Sequence, residues 1–222
     1  MSTTVPRAPS TDSAMRLFRL LVLLGVPLRW WARLGVEGLD VLPPPGVPTL
    51  IVSNHDSMID PLALADTMIR ADRYVRFLAM DRLWRHRPVG MIMDGLGQIP
   101  VQRGAGDANA MQAAVDALAA GHPVCIFPEG GLSGGERVRA RRGVARLIAA
   151  VPDVEVVLAA VEGTTDVVRF PRRPRATVQL FLPSERPRAD EDHGELAERL
   201  LLEIRSRVPP EAAGRRAGAR RR

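Results

Sequence analysis

The chain has 222 residues, 46% of them hydrophobic and 25% charged, which is ordinary for a globular protein and makes one compact domain the default. Its single cysteine, Cys125, rules out an internal disulfide, and the scattered His86, His122 and His193 lack metal-ligand spacing. The net charge of +6 says little about the folded part, because Arg215, Arg216, Arg220, Arg221 and Arg222 carry all but one unit of it.

In chain order, residues 1–13 are rich in Pro, Ser and Thr and are expected to be disordered. Residues 14–34 hold an apolar stretch edged by Arg16, Arg19, Arg29 and Arg33 and by Trp30-Trp31. Its unbroken run, Leu20 to Leu28, contains Gly25 and Pro27 and falls short of the roughly 20 apolar residues that span a bilayer. An amphipathic helical segment lying in a membrane interface accounts for the arginines and tryptophans. A signal peptide and a helix packed on the domain's own core are the alternatives, the former without a small-x-small cleavage site.

The folded domain is expected over residues 35–208. Strands are predicted at Thr49–Ser53, Val75–Ala79, Gly97–Val101, Val124–Phe127, Val154–Val161 and Ala176–Leu182. Helices are predicted at Pro61–Ile69, Ala108–Ala120, Val144–Ala150 and Glu195–Val208. The clearest follows Asp107, where Met111, Ala114, Val115 and Leu118 share one face and Gly121 ends the run. Strands alternating with helices give an α/β fold, a central mixed sheet flanked by helices, with its motifs on loops at strand ends. Residues 209–222 read as a basic disordered tail without the aromatic interleaving of a nucleic-acid reader, and attraction to anionic lipid is one use for it.

Chemistry concentrates in Ser53-Asn54-His55-Asp56-Ser57-Met58-Ile59-Asp60-Pro61, directly after the apolar Leu50-Ile51-Val52. A neutral imidazole at His55 can take a proton from an attacking alcohol, and a carboxylate at Asp60 can fix its tautomer and stabilise the imidazolium. Asp60 before Pro61 also reads as a helix N-cap with proline in the first turn, and both roles can hold at once. Two further segments stand out. Gly97-Gln98-Ile99-Pro100-Val101-Gln102-Arg103 ends an apolar stretch on an arginine, and Val124-Cys125-Ile126-Phe127-Pro128-Glu129-Gly130 breaks from a strand into a turn bearing one carboxylate.

Taken together and in this order, these three blocks resemble the glycerolipid acyltransferases typified by lysophosphatidate acyltransferase, over roughly residues 35–185. The resemblance implies that His55 is the general base and Asp60 its orienter, that Arg103 meets the acceptor's phosphate, and that Glu129 and Gly130 belong to acceptor binding. A purely structural turn at Glu129-Gly130 is the alternative. It further implies acyl-CoA or acyl carrier protein as donor, a lysophospholipid as acceptor, no metal or redox cofactor, and a peripheral position on the cytoplasmic face of a membrane. Two departures bear on the acceptor. Where the family continues Thr-Arg-Ser, this chain has Gly131-Leu132-Ser133, and the apolar strand Val156–Val161 lacks the family's proline. Arg137, Arg139, Arg141 and Arg142 are the nearby cations that stand to replace the missing one.

A Gly-x-Ser-x-Gly pattern at Gly131-Leu132-Ser133-Gly134-Gly135 mimics a hydrolase nucleophile elbow, but Pro128-Glu129-Gly130 intervenes after the strand and only His193 follows. The expected function is therefore acyl transfer to a lysophospholipid hydroxyl, most of all 1-acyl-glycerol-3-phosphate, in phospholipid biosynthesis. A different lipid or alcohol acceptor, and a non-catalytic membrane or partner-binding protein on a decayed scaffold, are the alternatives.

Overall fold

A computed structural model describes residues 33–102, 107–166 and 175–212, together with Arg16, Leu17 and Leu20. Seven strands form one sheet: β1 (Arg33–Glu37), β2 (Thr49–Ser53), β3 (Arg76–Met80), β4 (Ile99–Val101), β5 (Val124–Ile126), β6 (Glu155–Glu162) and β7 (Arg175–Phe181). Their order across the sheet is β1-β7-β6-β2-β5-β3-β4. Every pairing is parallel except β6 with β7, so the sheet is mixed, as the sequence led us to expect. Five α-helices accompany it among the described residues: α1 (Asp60–Arg70), α2 (Arg87–Gly95), α3 (Ala108–Ala119), α4 (Gly143–Ala150) and α5 (His193–Arg207).

The central strand β2 is buried along its whole length, which is why it reads as an unbroken apolar run instead of an alternating one. Leu50 and Val52 turn to one face, where they pack with Val124, Ile126, Val156 and Leu158 beneath α3, α4 and α5. Ile51 turns to the other, against Cys125, Val157 and Ala159 and the Leu64 and Met68 face of α1. Two cores, one per sheet face, thus clamp β2, β5 and β6, and the parallel direction of these strands brings their C-terminal ends to one edge.

Two elements were not anticipated. β1 is a sheet-edge strand with alternating exposure whose Arg33 and Glu37 face solvent, and it takes Arg33 and Leu34 out of the segment expected to lie in an interface. α2 carries Pro88 in its first turn, where proline is tolerated, and Gly90 against the Trp84 backbone carbonyl 3.1 Å from where a Cβ would sit. Of residues 14–32, only Arg16, Leu17 and Leu20 are described; Leu17 packs against the second core while Arg16 and Leu20 are exposed. Residues 1–13 and most of the basic tail lie outside the described residues, but Glu211 is buried and accepts a hydrogen bond from Thr165 Oγ1 at 3.2 Å, so the folded domain runs past residue 208.

Candidate active site

Three strands deliver the site. β2 ends into the loop carrying His55, β5 ends into Phe127-Pro128-Glu129-Gly130, and β6 ends at Glu162 just before the turn of Thr164. Asn54 makes the first join. Its side-chain amide donates to Val161 O and accepts from Val161 N, both at 2.8 Å, so it continues the β2–β6 ladder by one pseudo-residue and points the chain outward at His55.

His55 Nδ1 lies 3.2 Å from Asp60 Oδ2. With Nδ1–H donated to the carboxylate, the lone pair sits on Nε2, the tautomer a general base needs. Phe127 stacks on the imidazole, centroids 4.3 Å apart and planes 20° from parallel, and fixes the ring from the β5 side. The side chain of His55 is 17% exposed, whereas that of Asp60 is fully buried. The imidazole thus meets solvent while the carboxylate paired with it does not.

Asp60 does not cap its helix, contrary to the N-cap reading. It is the first residue of α1, the N-cap is Ile59, and the carboxylate turns back toward the His55 loop. Oδ2 accepts from the backbone N–H groups of Asp56 and Ser57, both at 2.7 Å, as well as from His55, and Oδ1 accepts from the Thr164 hydroxyl. The spacing of five residues therefore closes a tight loop around one carboxylate, and that loop, not the helix end, is what uses the aspartate.

Glu129 and Gly130 sit beside this loop. Glu129 is buried; its Oε2 accepts from the His55 backbone N–H at 3.2 Å, and its Oε1 takes the Arg205 guanidinium of α5. Burial pushes the Glu129 carboxyl up, while the Arg205 charge and the His55 N–H pull the other way. Gly130 has φ +69°, and an added Cβ would fall within the Arg141 side chain, 2.9 Å from its Cζ. Arg141 itself is exposed and lies over this glycine. Replacing Gly130 by Ala is expected to cost about 1–2 kcal/mol from the left-handed backbone alone. That is a fall in Tm of roughly 2–8 °C, checked by thermal unfolding, with Arg141 displaced as well.

Ser133 does not sit on an exposed elbow. It is buried, its hydroxyl donates to Asp56 Oδ1 and accepts from Gly135 N, and its backbone N–H donates to His55 O at 2.8 Å. Arg103, two residues past β4, lies outside the described residues. Among the described residues no group of three or more His, Cys, Asp or Glu is arranged to hold a metal, and no helix is long and apolar enough to cross a membrane.

A family model described as Acyltransferase matches residues 33–164, more than half of the chain and every described member of the His55 loop. The chain belongs to the acyltransferase family. The chloroplastic 1-acyl-sn-glycerol-3-phosphate acyltransferase LPAT1 of Arabidopsis thaliana is 26% identical over 138 residues, 61% of this chain. The chain spans only 38% of that relative's length. The crystal structure of PlsC from Thermotoga maritima, a 1-acyl-sn-glycerophosphate (LPA) acyltransferase, superposes with a TM-score of 0.67 at 17% identity, covering 93% of this chain and 86% of that one, and shares the fold.

Thr164, Phe127, Asp56 and Arg205 are members of this acyltransferase site that the sequence did not single out. Thr164 follows Gly163 just past the predicted strand Val154–Val161, a signal that β6, like β2 and β5, ends in a turn bearing polar side chains. Arg205 offered none, since it looks like any basic residue in the last turn of an amphipathic helix.

Proposed function

We propose that this protein transfers a fatty acyl group from a thioester, acyl-CoA or acyl carrier protein, to the free hydroxyl of a lysophosphatidate-type acceptor. The observation that carries the reading is the His55–Asp60 pair, Nδ1 anchored and the imidazole partly exposed where β2 ends, in a chain of the acyltransferase family. His55 Nε2 takes the hydroxyl proton as the oxygen attacks the thioester carbonyl. The tetrahedral intermediate collapses with loss of the thiolate, which receives that proton from the imidazolium, so a C–O bond replaces a C–S bond. Asp60 holds the imidazolium in place. The mechanism calls for no acyl-enzyme and no metal or redox group.

Apolar and cationic surface beside the loop supports a lipid acceptor. Met58, Leu62 and Leu132 are large, exposed and borne by the elements that frame His55, and Arg141 lies over Gly130. Arg103 and Arg141 are the cations assigned to an acceptor phosphate, whose oxygens suit a guanidinium fork. Leu132, where the resemblance leads one to expect arginine, favours a second reading in which the acceptor is a lipid with less charge at its head.

Thioester release should be followed with acyl-CoA and acyl carrier protein as donors against lysophosphatidate, other lysophospholipids and a neutral monoacylglycerol. Transfer to lysophosphatidate above the rest supports the first reading, transfer to the neutral acceptor the second, and no transfer to any of them sinks both. Residues 14–32 are assigned to a peripheral hold on the membrane surface. Removing residues 1–32, which leaves β1 intact, is expected to release the protein from anionic liposomes at low salt.

A further inference from the structure

We propose that Arg205, on the final helix of the domain, is a positioning residue for catalysis that locks the His55 loop to the Phe-Pro-Glu-Gly turn. The inference rests on His55 as the base. Arg205 is 6% exposed, and its guanidinium bridges two carboxylates on two loops. Nη1 and Nη2 donate to Asp56 Oδ2 and Oδ1 at 2.7 and 2.9 Å, and Nε donates to Glu129 Oε1 at 2.8 Å, with Nη2 closing on the same oxygen.

Both carboxylates lead directly to His55. Asp56 is its neighbour in the chain, tied also to Asn54 Nδ2 at 3.1 Å and to the Ser133 hydroxyl. Glu129 holds the His55 backbone N–H through Oε2 at 3.2 Å, while Ser133, on the same loop as Glu129, holds the His55 carbonyl. The backbone of the base is thus pinned at both ends by the loop that follows β5, and Arg205 is the cation that lets two buried carboxylates stand beside each other there. Burial alone lowers the affinity of this guanidinium for its proton, but the hydrogen bond to Asp56 and the charges of Glu129 and Asp56 outweigh it, so Arg205 holds its proton more tightly than a free arginine. A guanidinium meets both acids at once in a fixed planar fork; an ammonium has three donors on a single nitrogen and cannot reproduce that geometry.

α5 lies beyond the residues that the family model matches, so nothing in that match assigns Arg205 a role. Its work is geometric. Displacing a reacting group by about 1 Å can cost on the order of 100-fold in rate.

The test uses the full-length protein with Arg205→Met, Arg205→Lys, Asp56→Asn and the double variant Asp56→Asn/Arg205→Met. kcat and KM are measured for each substrate below the unfolding temperature of each variant, with folded fraction set by circular dichroism. Arg205→Met is expected to lower kcat by about 30- to 100-fold while each KM stays within about threefold. Lysine should restore roughly a tenth of the wild-type rate, and the double variant should be no slower than Arg205→Met. If Arg205→Met does not fold, Asp56→Asn, which leaves the Glu129 pair intact, is expected to lower kcat by about tenfold and decides the matter. Wild-type kcat in folded variants, with loss confined to Tm, would overturn the proposal. So would a raised acceptor KM at unchanged kcat, which would place Arg205 on the substrate. His55→Ala run alongside separates the two readings: an active His55→Ala removes the base, whereas an inactive His55→Ala with a fully active Arg205→Met removes only the positioning role.

Discussion

Replacing His55 by alanine is expected to lower kcat/KM by about 100- to 10,000-fold, the range that follows loss of a general base, and to leave the fold in place. The structure explains why the two effects part company. The imidazole is the member of the dyad that reaches the open edge, and its removal does not orphan Asp60, which keeps the Asp56 and Ser57 N–H groups and the Thr164 hydroxyl. What is lost in packing is the stack on Phe127. Steady-state rates with the preferred acceptor, set beside a thermal unfolding curve, check this. A variant within a few-fold of wild type would mean that another group takes the proton.

Asp60→Asn is expected to produce the second large loss, up to about 10,000-fold in kcat, with a much smaller change in stability. An asparagine fits the same hydrogen bonds. Its carbonyl oxygen can accept from Asp56 N, Ser57 N and His55 Nδ1 in place of Oδ2, and its amide can donate to the Thr164 hydroxyl, which switches from donor to acceptor. Only the negative charge facing the imidazolium disappears. Asp60→Ala differs, because it strips buried N–H groups of their acceptor at about 1–3 kcal/mol each, and the His55 loop should loosen with it. The Asn variant therefore reports on catalysis and the Ala variant on both. Near-wild-type kcat in Asp60→Asn would show that loop geometry alone orients the base.

Features that depend on nearby residues were readable from the sequence. Burial on both faces wrote β2 as Leu50-Ile51-Val52, and its bounds are those expected. Asp107 caps α3 by accepting from Asn109 N and Ala110 N, as its position before the periodic run implied. The His55–Asp60 contact lies within one short segment, so spacing was enough to find it, although the Asp60-Pro61 pair misled on the cap. Features assembled by topology were not readable. Thr164 meets Asp60 across 104 residues and Arg205 meets Asp56 across 149, and Arg205 has no local pattern that marks it. β1 was hidden because an edge strand of five residues with charged ends and a central glycine resembles a linker. α2 was hidden by Pro88 and Gly90, which read as breakers but are absorbed by the first turn and by a close approach to Trp84.

The strand order has a consequence for how the protein is made. The first two of the described strands, β1 and β2, find no partner among the strands next to them in the chain: β1 waits for β7, which begins at residue 175, and β2 waits for β5 and β6, which begin at residues 124 and 155. Long loops must close before any of these pairings is rewarded, which slows folding and sets it late in translation. Meanwhile Leu50-Ile51-Val52, from a strand buried along its whole length and leading into the His55 loop, emerges from the ribosome with both edges open. The interval between its synthesis and the arrival of β5 and β6 is when this chain is most exposed to aggregation and most in need of a chaperone.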